Sequence, residues 1–343
     1  MFLSLSLALI LCLPAQADSV SSEQSPPTPS ETKIQLRLAT GSHGGTFLPV
    51  GHDIANWLNA NQTTFEVVVD TTAGSVDNLS RLIQGEADLA IVGSSPFRKV
   101  LEDQGRLALA RGAQGLLVMG SLYDDAEQFV VKTSMVRANS MLDLNGLLMY
   151  PGPRNSGGEV DTRTVMQTLG VEPRYVYPVE RTKGYLEAAE ALARGDYDAC
   201  TFSGGVPIIA VEKLFADHPG EFCILPFTRH QLSKVKHASL DFEPVTIPAN
   251  SYPGLKNDLR SVGGPNLLIT RGDLDPELLR LIDATIRAGI QDEREGLREK
   301  ESHPVLQILT ESHWDIVPEG VPALELGPRG GTEQPASRGR QAP

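Results

Sequence analysis

Residues Phe65–Gly93 read FEVVVDTTAGSVDNLSRLIQGEADLAIVG, and two changes of hydrophobic period inside them decide the fold. FEVVVD is short, β-branched and strand-like. From Ser75 the period becomes helical: Val76, Leu79, Leu82 and Ile83 share one face, Ser75 stands as N-cap and Gly85 as the stop. Asp88–Gly93 (DLAIVG) then reads as a second strand. Strand, helix and strand in succession are the signature of parallel strands joined by a crossover helix.

The same alternation extends outward. Upstream, Ile34–Ala39 predicts a strand and Gly45–Asn59 a helix. Downstream, after the stretches Gln114–Tyr123 and Gln128–Lys132, it begins again. Strands are expected at Leu147–Tyr150, Arg174–Tyr177, Tyr197–Phe202 and Phe222–Phe227, and helices at Gly158–Leu169, Lys183–Arg194 and Val206–Phe215. The chain therefore holds two similar α/β units. A third section, with a strand at Pro265–Thr270 and helix from Asp275 to Gln291 and beyond, can return to complete the first.

The ends differ in character. MFLSLSLALILCLPAQA (residues 1–17) is an apolar run closed by Ala15-Gln16-Ala17, a secretory signal expected to be cleaved before Asp18. Residues 18–32 and 326–343 are poor in apolar residues and predict a disordered linker and a disordered tail. The 343 residues carry a formal charge of -13, which argues against nucleic acid as a partner. A local anion pocket at a helix end stays compatible with that charge.

Four Ser/Gly turns fall between strands and helices. They are Thr40-Gly41-Ser42-His43-Gly44-Gly45-Thr46, Thr72-Ala73-Gly74-Ser75, Asn155-Ser156-Gly157-Gly158-Glu159 and Ser203-Gly204-Gly205. In a parallel α/β sheet such turns lie at the carboxyl ends of strands, where ligands bind. Glycine lets backbone approach closely, and the opening amides of a helix have no intrahelical acceptor, so they can donate to an anion. Ser and Thr add short hydroxyl donors. Taken singly, each turn is also ordinary punctuation between elements.

Several chemistries fail on spacing. No Lys-Ser/Thr pair follows the first turn as a phosphate loop requires, and GSHGGT lacks the G-x-G-x-x-G spacing. Ser42-His43, or Ser203 with His230 or His237, can be imagined as nucleophile and base, yet no G-x-S-x-G elbow is present. The seven His are scattered without a ligand motif, so neither metal nor cofactor is expected. Arg154 is a candidate counter-charge for a ligand carboxylate, or a solvated surface residue.

Four blocks in order, LATGSHGGTFLPVGHDIANWL, TTAGSVDNLSRLIQGEADLAIV, YPGPRNSGGEVDTR and IPANSYPGLKNDLRSVGGPNLLIT, resemble the TAXI family of extracytoplasmic solute-binding proteins associated with TRAP transporters. The resemblance runs from about Ile34 to about Val317. It implies an α/β fold of two lobes, the type II-like periplasmic binding-protein fold, each lobe a mainly parallel sheet flanked by helices. Lobe 1 would comprise residues 33–125 and about 255–320, lobe 2 residues 126–254. It further implies a periplasmic monomer without catalytic activity that takes a small carboxylate, a glutamate-like amino acid or a C4–C5 dicarboxylate, to a TRAP-type membrane permease. Presentation of the ligand to a membrane sensor, or an enzyme on the same fold, are the alternatives.

Carried over by position, the resemblance places Thr40 to Phe47, Gly74, Ser75 and Asn78, and Ser156 to Glu159 at the ligand, and the residues themselves add Ser94, Arg154, Ser203 and Gly204 as candidates. The sequence departs from the family at Phe47, where Tyr is usual, at His43 and His52, where small residues are usual, and at Ser94-Ser95-Pro96. In the implied fold a returning strand separates the strands of Cys200 and Cys223 by about two spacings of ~4.8 Å. That exceeds disulfide reach, so both thiols are expected free and buried.

Overall fold

A computed structural model describes residues 33–105, 115–177, 184–238, 242–295 and Trp314. The expected signal, linker and tail lie outside the described residues.

Two five-stranded sheets form the two lobes. The first has the order β2-β1-β3-β12-β4, from Phe65–Asp70 (β2), Ile34–Ala39 (β1), Leu89–Gly93 (β3), Pro265–Arg271 (β12) and Leu116–Asp124 (β4). The second has the order β7-β6-β8-β5-β9, from Arg174–Tyr175 (β7), Leu148–Tyr150 (β6), Ala199–Gly204 (β8), Ala126–Lys132 (β5) and Phe222–Ile224 (β9). β12 is antiparallel to both its neighbours and so is β5, while the other pairs are parallel. Each sheet is therefore mixed: one reversed strand stands among strands that run the same way. Those reversed strands are the first to follow a change of lobe.

Helices cover both sheets. Lobe 1 carries Phe47–Asn61 (α1), Ser75–Gln84 (α2), Ser94–Gly105 (α3) and the returning Pro276–Arg294 (α8). Lobe 2 carries Gly157–Leu169 (α4), Tyr185–Arg194 (α5), Ile209–Asp217 (α6) and Arg229–Ala238 (α7). Leu58 and Ile282, from α1 and α8, are fully buried in one cluster with Leu36, Phe65 and Leu268 of the sheet. Each such side chain contributes roughly 1.5–3 kcal/mol by leaving water. The Trp57 indole N–H donates to the Thr285 carbonyl at 3.2 Å, and that of Trp314 to Asp283 at 2.9 Å, which satisfies both buried rings.

Two helices do not stand out in the sequence. α3 (SSPFRKVLEDQG) contains Pro96, but in its first turn, where a missing N–H costs nothing. Its buried Phe97, with Val100 and Leu101, packs against the outer face of the first sheet. α7 (RHQLSKVKHA) is mostly polar and sits on Leu232 and Val235. In α2 the cap is Gly74, at φ 118°, and Ser75 is the first helical residue; its Oγ instead accepts from the Gly93 amide at 3.1 Å, tying helix to strand end.

The chain changes lobe at two neighbouring points, Asp124–Ala126 between β4 and β5, and Gly263–Pro265 before β12. Strands Glu243–Ile247 (β10) and Leu259–Gly263 (β11) pair antiparallel and pack on lobe 2, with Ile247 and Val262 buried in its clusters. The return to lobe 1 thus falls at Gly264, beyond the expected boundary near residue 255. At the crossing the Asp125 amide donates to the Gly264 carbonyl at 2.9 Å. A Cβ on Gly263 would lie 1.7 Å from the Asp125 carbonyl oxygen, so the two strands can cross only with glycine there.

Cys200 and Cys223 are free, the first buried and the second partly so. β5 runs between their strands, pairing Val130 with Cys200 and Val131 with Cys223, the separation that the resemblance implied.

Candidate functional site

The carboxyl ends of β1, β2, β3, β6 and β8 face one region between the lobes. Helices α1, α2, α3, α4 and α5 begin there, at Phe47, Ser75, Ser94, Gly157 and Tyr185. They enclose a cavity of about 50 Å³, room for a few water-sized groups. Lobe 1 lines it with Gly41, Ser42, Gly45, Thr46, Phe47, Ala73, Gly74, Ser75 and Gly93, lobe 2 with Pro153, Ser156, Gly157, Gly158, Asp161, Tyr185 and Ser203, and the crossing with Asp125.

The lobes are closed on one another. Backbone bonds cross from the Tyr185 amide to the His43 carbonyl at 3.0 Å, from the Ala210 amide to the Gly44 carbonyl at 3.2 Å, and from the Asp77 amide to the Asn155 carbonyl at 3.0 Å. The Gly205 amide reaches Thr46 Oγ1 at 3.2 Å. Ser95 Oγ, on α3, donates to Asp161 Oδ1, on α4, at 2.6 Å. Turns read in the sequence as ligand clamps are therefore in part clasps between lobes.

The remaining expected residues sit away from the cavity surface, each for a visible reason. Thr40 and Asn78 are buried inside lobe 1: Thr40 Oγ1 donates to the Asp70 carbonyl, and Asn78 Nδ2 to the carbonyls of Thr40 at 2.6 Å and Ile91 at 2.7 Å. The His43 side chain is exposed, and its carbonyl accepts from the Tyr185 amide of lobe 2. Ser94 is buried as the first residue of α3. Arg154 is exposed with its guanidinium 3.8 Å from the centre of the Tyr177 ring. Glu159 accepts from the Tyr177 hydroxyl and, at 3.0 Å, from the Asn155 amide. Gly204 is buried beside Thr46, whose Oγ1 lies 2.9 Å from where its Cβ would be.

Sequence reading passed over the acidic side of the site. Asp125, Glu127 and Asp161 come together from the crossing, from β5 and from the second turn of α4. Burial pushes the Asp125 carboxyl up to about 7, against the relief of the Asn266 amide that donates to it at 2.6 Å; the charges of Asp161 and Asp124 add to the rise. The residue as a whole is partly exposed. Glu127, 2% exposed, is also raised well above the usual range, first by burial and next by Asp161. Its Oε1 accepts from Ser203 Oγ, and its Oε2 has no partner among the described residues. No Lys or Arg is among the described residues that line the cavity. Sequence spacing gave no sign of this group, since its members are far apart in the chain and only the lobe change brings them to one place.

Ser203 bonds Glu127, while His230 and His237 are exposed on α7.

A polar cavity at the strand ends between two α/β lobes, joined by a double crossing, is the two-lobed fold of the periplasmic binding proteins. Residues 38–287 match the NMT1-like family, and the chain belongs to that family. Among solved structures it is similar to a protein from Bordetella bronchiseptica RB50, at TM-score 0.50 and 16% identity over 84% of this chain and 86% of that one. Weaker likenesses are an ancestral arginine-binding protein bound to arginine (TM-score 0.47, 14% identity, 82% and 99% covered) and a putative L-cystine ABC transporter from Listeria monocytogenes (0.46, 12%, 76% and 91%). The first is a likeness of fold alone, and nothing about this chain follows from the other two.

Proposed function

We propose that the chain is an extracytoplasmic solute-binding protein that closes its lobes on a small carboxylate and delivers it to a membrane transporter of the TRAP type, acting as a monomer and without catalysis. The observation that carries this reading is the convergence of four helix N-termini, at Phe47, Ser75, Gly157 and Tyr185, on one small cavity between two lobes. One helix end gives at most ~2 kcal/mol toward an anion. Micromolar binding needs about 8 kcal/mol, so several helix ends and charge-assisted hydrogen bonds must act together. The Ser/Gly lining suits such bonding because its short side chains let a carboxylate approach the backbone and add hydroxyl donors.

Export is supported by the apolar segment at residues 1–17, and no helix among the described residues is long and apolar enough to cross a membrane. The test is mass spectrometry of small molecules released from purified, denatured protein, followed by calorimetry with candidate acids. A carboxylate bound at micromolar or tighter affinity and returned unchanged is expected. Chemical turnover of the bound compound, or indifference to every small acid, overturns the reading.

A further inference from the structure

We propose that the protein takes up its carboxylate together with one proton, which sits on Asp125 and lets that residue donate a hydrogen bond to the bound anion. This rests on the carboxylate-binding reading above and adds a proton to it. The cavity wall offers amide and hydroxyl donors from helix ends and Ser/Thr turns, no described Lys or Arg, and the carboxyl group of Asp125. In a space of about 50 Å³ an anion stands close to every part of that wall. A charged Asp125 would repel it, whereas a neutral one is a further donor.

The surroundings of Asp125 favour the neutral form. Its Oδ1 accepts from Asn266 Nδ2 at 2.6 Å, which leaves Oδ2 to carry the proton. The groups that bear on it are the Asn266 amide of β12, Asp161 of α4, Tyr123 and Asp124 at the end of β4, Glu127 of β5 and Tyr185 of α5, each acidic or neutral. Burial, with the charges of Asp161 and Asp124, holds the carboxyl up at about 7 in the closed form, and the charge of a bound carboxylate raises it further. The proton comes from solvent, so a monoanion enters with no change in the net charge of the site.

Glu127 is a different case. It is 2% exposed behind Ser203, which donates to its Oε1, and burial raises it well above the usual range before any ligand arrives. It therefore stays neutral in both states and adds no pH dependence to binding.

Calorimetry on the purified protein, freed of small molecules by unfolding and refolding, tests the proposal with pyruvate, L-lactate, succinate and L-glutamate, all ionised between pH 6.5 and 8.5. Titrations at pH 7.5 in HEPES and in Tris, whose ionisation enthalpies differ, count the protons exchanged. Uptake of about 0.5 to 1 proton per bound acid is expected, and affinity for the tightest of the four should fall about 5- to 80-fold from pH 6.5 to 8.5. Asp125→Asn keeps a donor but cannot titrate, so its affinity should be flat across that range and exceed the parent's at pH 8.5. Glu127→Gln should keep the parent's slope. Binding by the parent without proton uptake, weaker binding by Asp125→Asn at every pH, or a slope lost in Glu127→Gln and kept in Asp125→Asn each overturns the proposal and leaves the carboxylate-binding reading standing. Failure of all four acids to bind overturns both.

Discussion

Gly157 and Gly158 are adjacent in the chain, and substituting them should fail in different ways. A Cβ on Gly157 would lie 2.8 Å from Ser75 Oγ, 3.3 Å from Ser75 Cβ and 3.3 Å from Pro96 Cγ, all on the opposite lobe. Ser75 Oγ cannot simply turn aside, because it holds the Gly93 amide. A Cβ on Gly158 would instead lie 2.9 Å from both Ser203 Cβ and Tyr185 Oη, within its own lobe. Overpacking by one methyl typically costs about 1–3 kcal/mol. In Gly157→Ala that penalty exists only when the lobes are shut, so affinity for the small acid released from the purified protein should fall about 5- to 150-fold with an unchanged melting temperature. In Gly158→Ala it exists in open and closed forms alike, and melting should drop by roughly 2–4 °C per kcal/mol. Calorimetry and thermal unfolding of the ligand-free protein distinguish the two. Unchanged binding in Gly157→Ala, or a loss of melting temperature equal to that of Gly158→Ala, refutes the assignment of the first glycine to the interface between lobes.

Asp125, raised to about 7 when folded, favours the folded state below its unfolded value of 3.8 and loses that contribution as pH rises to about 7. Stability of the parent relative to Asp125→Asn should therefore decline between about pH 4 and 7, by at most about 1.4 kcal/mol per pH unit, in paired urea titrations. A flat or rising difference contradicts it. Asn78→Ala should lower stability by about 2–4 kcal/mol, because it strips the Thr40 and Ile91 carbonyls of a buried donor; a stable variant that merely loses ligand would return Asn78 to the pocket. For the chain from Asp18, thiol titration after denaturation should count two groups, and in the folded protein Cys200, buried and raised in pKa, should react slowly. Rapid labelling of both without denaturant would disprove that burial.

The period of FEVVVDTTAGSVDNLSRLIQGEADLAIVG was enough for the α/β alternation because its local preferences and most of its burial agree: Leu79 and Leu82 are buried in the helix and Leu89 to Val92 in the strand, while Ile83, read on the same face, is exposed. α3 was hidden by Pro96, which reads as a breaker but stands where a helix tolerates it. α7 was hidden because only Leu232 and Val235 need burying. Glycine turns gave the location of the site, yet sequence alone does not tell a turn that faces a ligand from one that faces the other lobe. His43 illustrates the difference: the residue is held by its carbonyl, which has no side-chain signature. Asp125, Glu127 and Asp161 were illegible for another reason, since their meeting depends on where the chain changes lobe.

Asp125 belongs at once to the cavity wall and to the backbone crossing bonded at Gly264. If the lobes open about these two crossings, the pivot is thereby part of the cavity wall. Swinging the lobes apart rotates that carboxylate relative to the helix ends on both sides, so the pocket is dismantled from its base and not merely uncovered at its rim. A substitution at Gly263 or Gly264 would then alter affinity without touching the ligand.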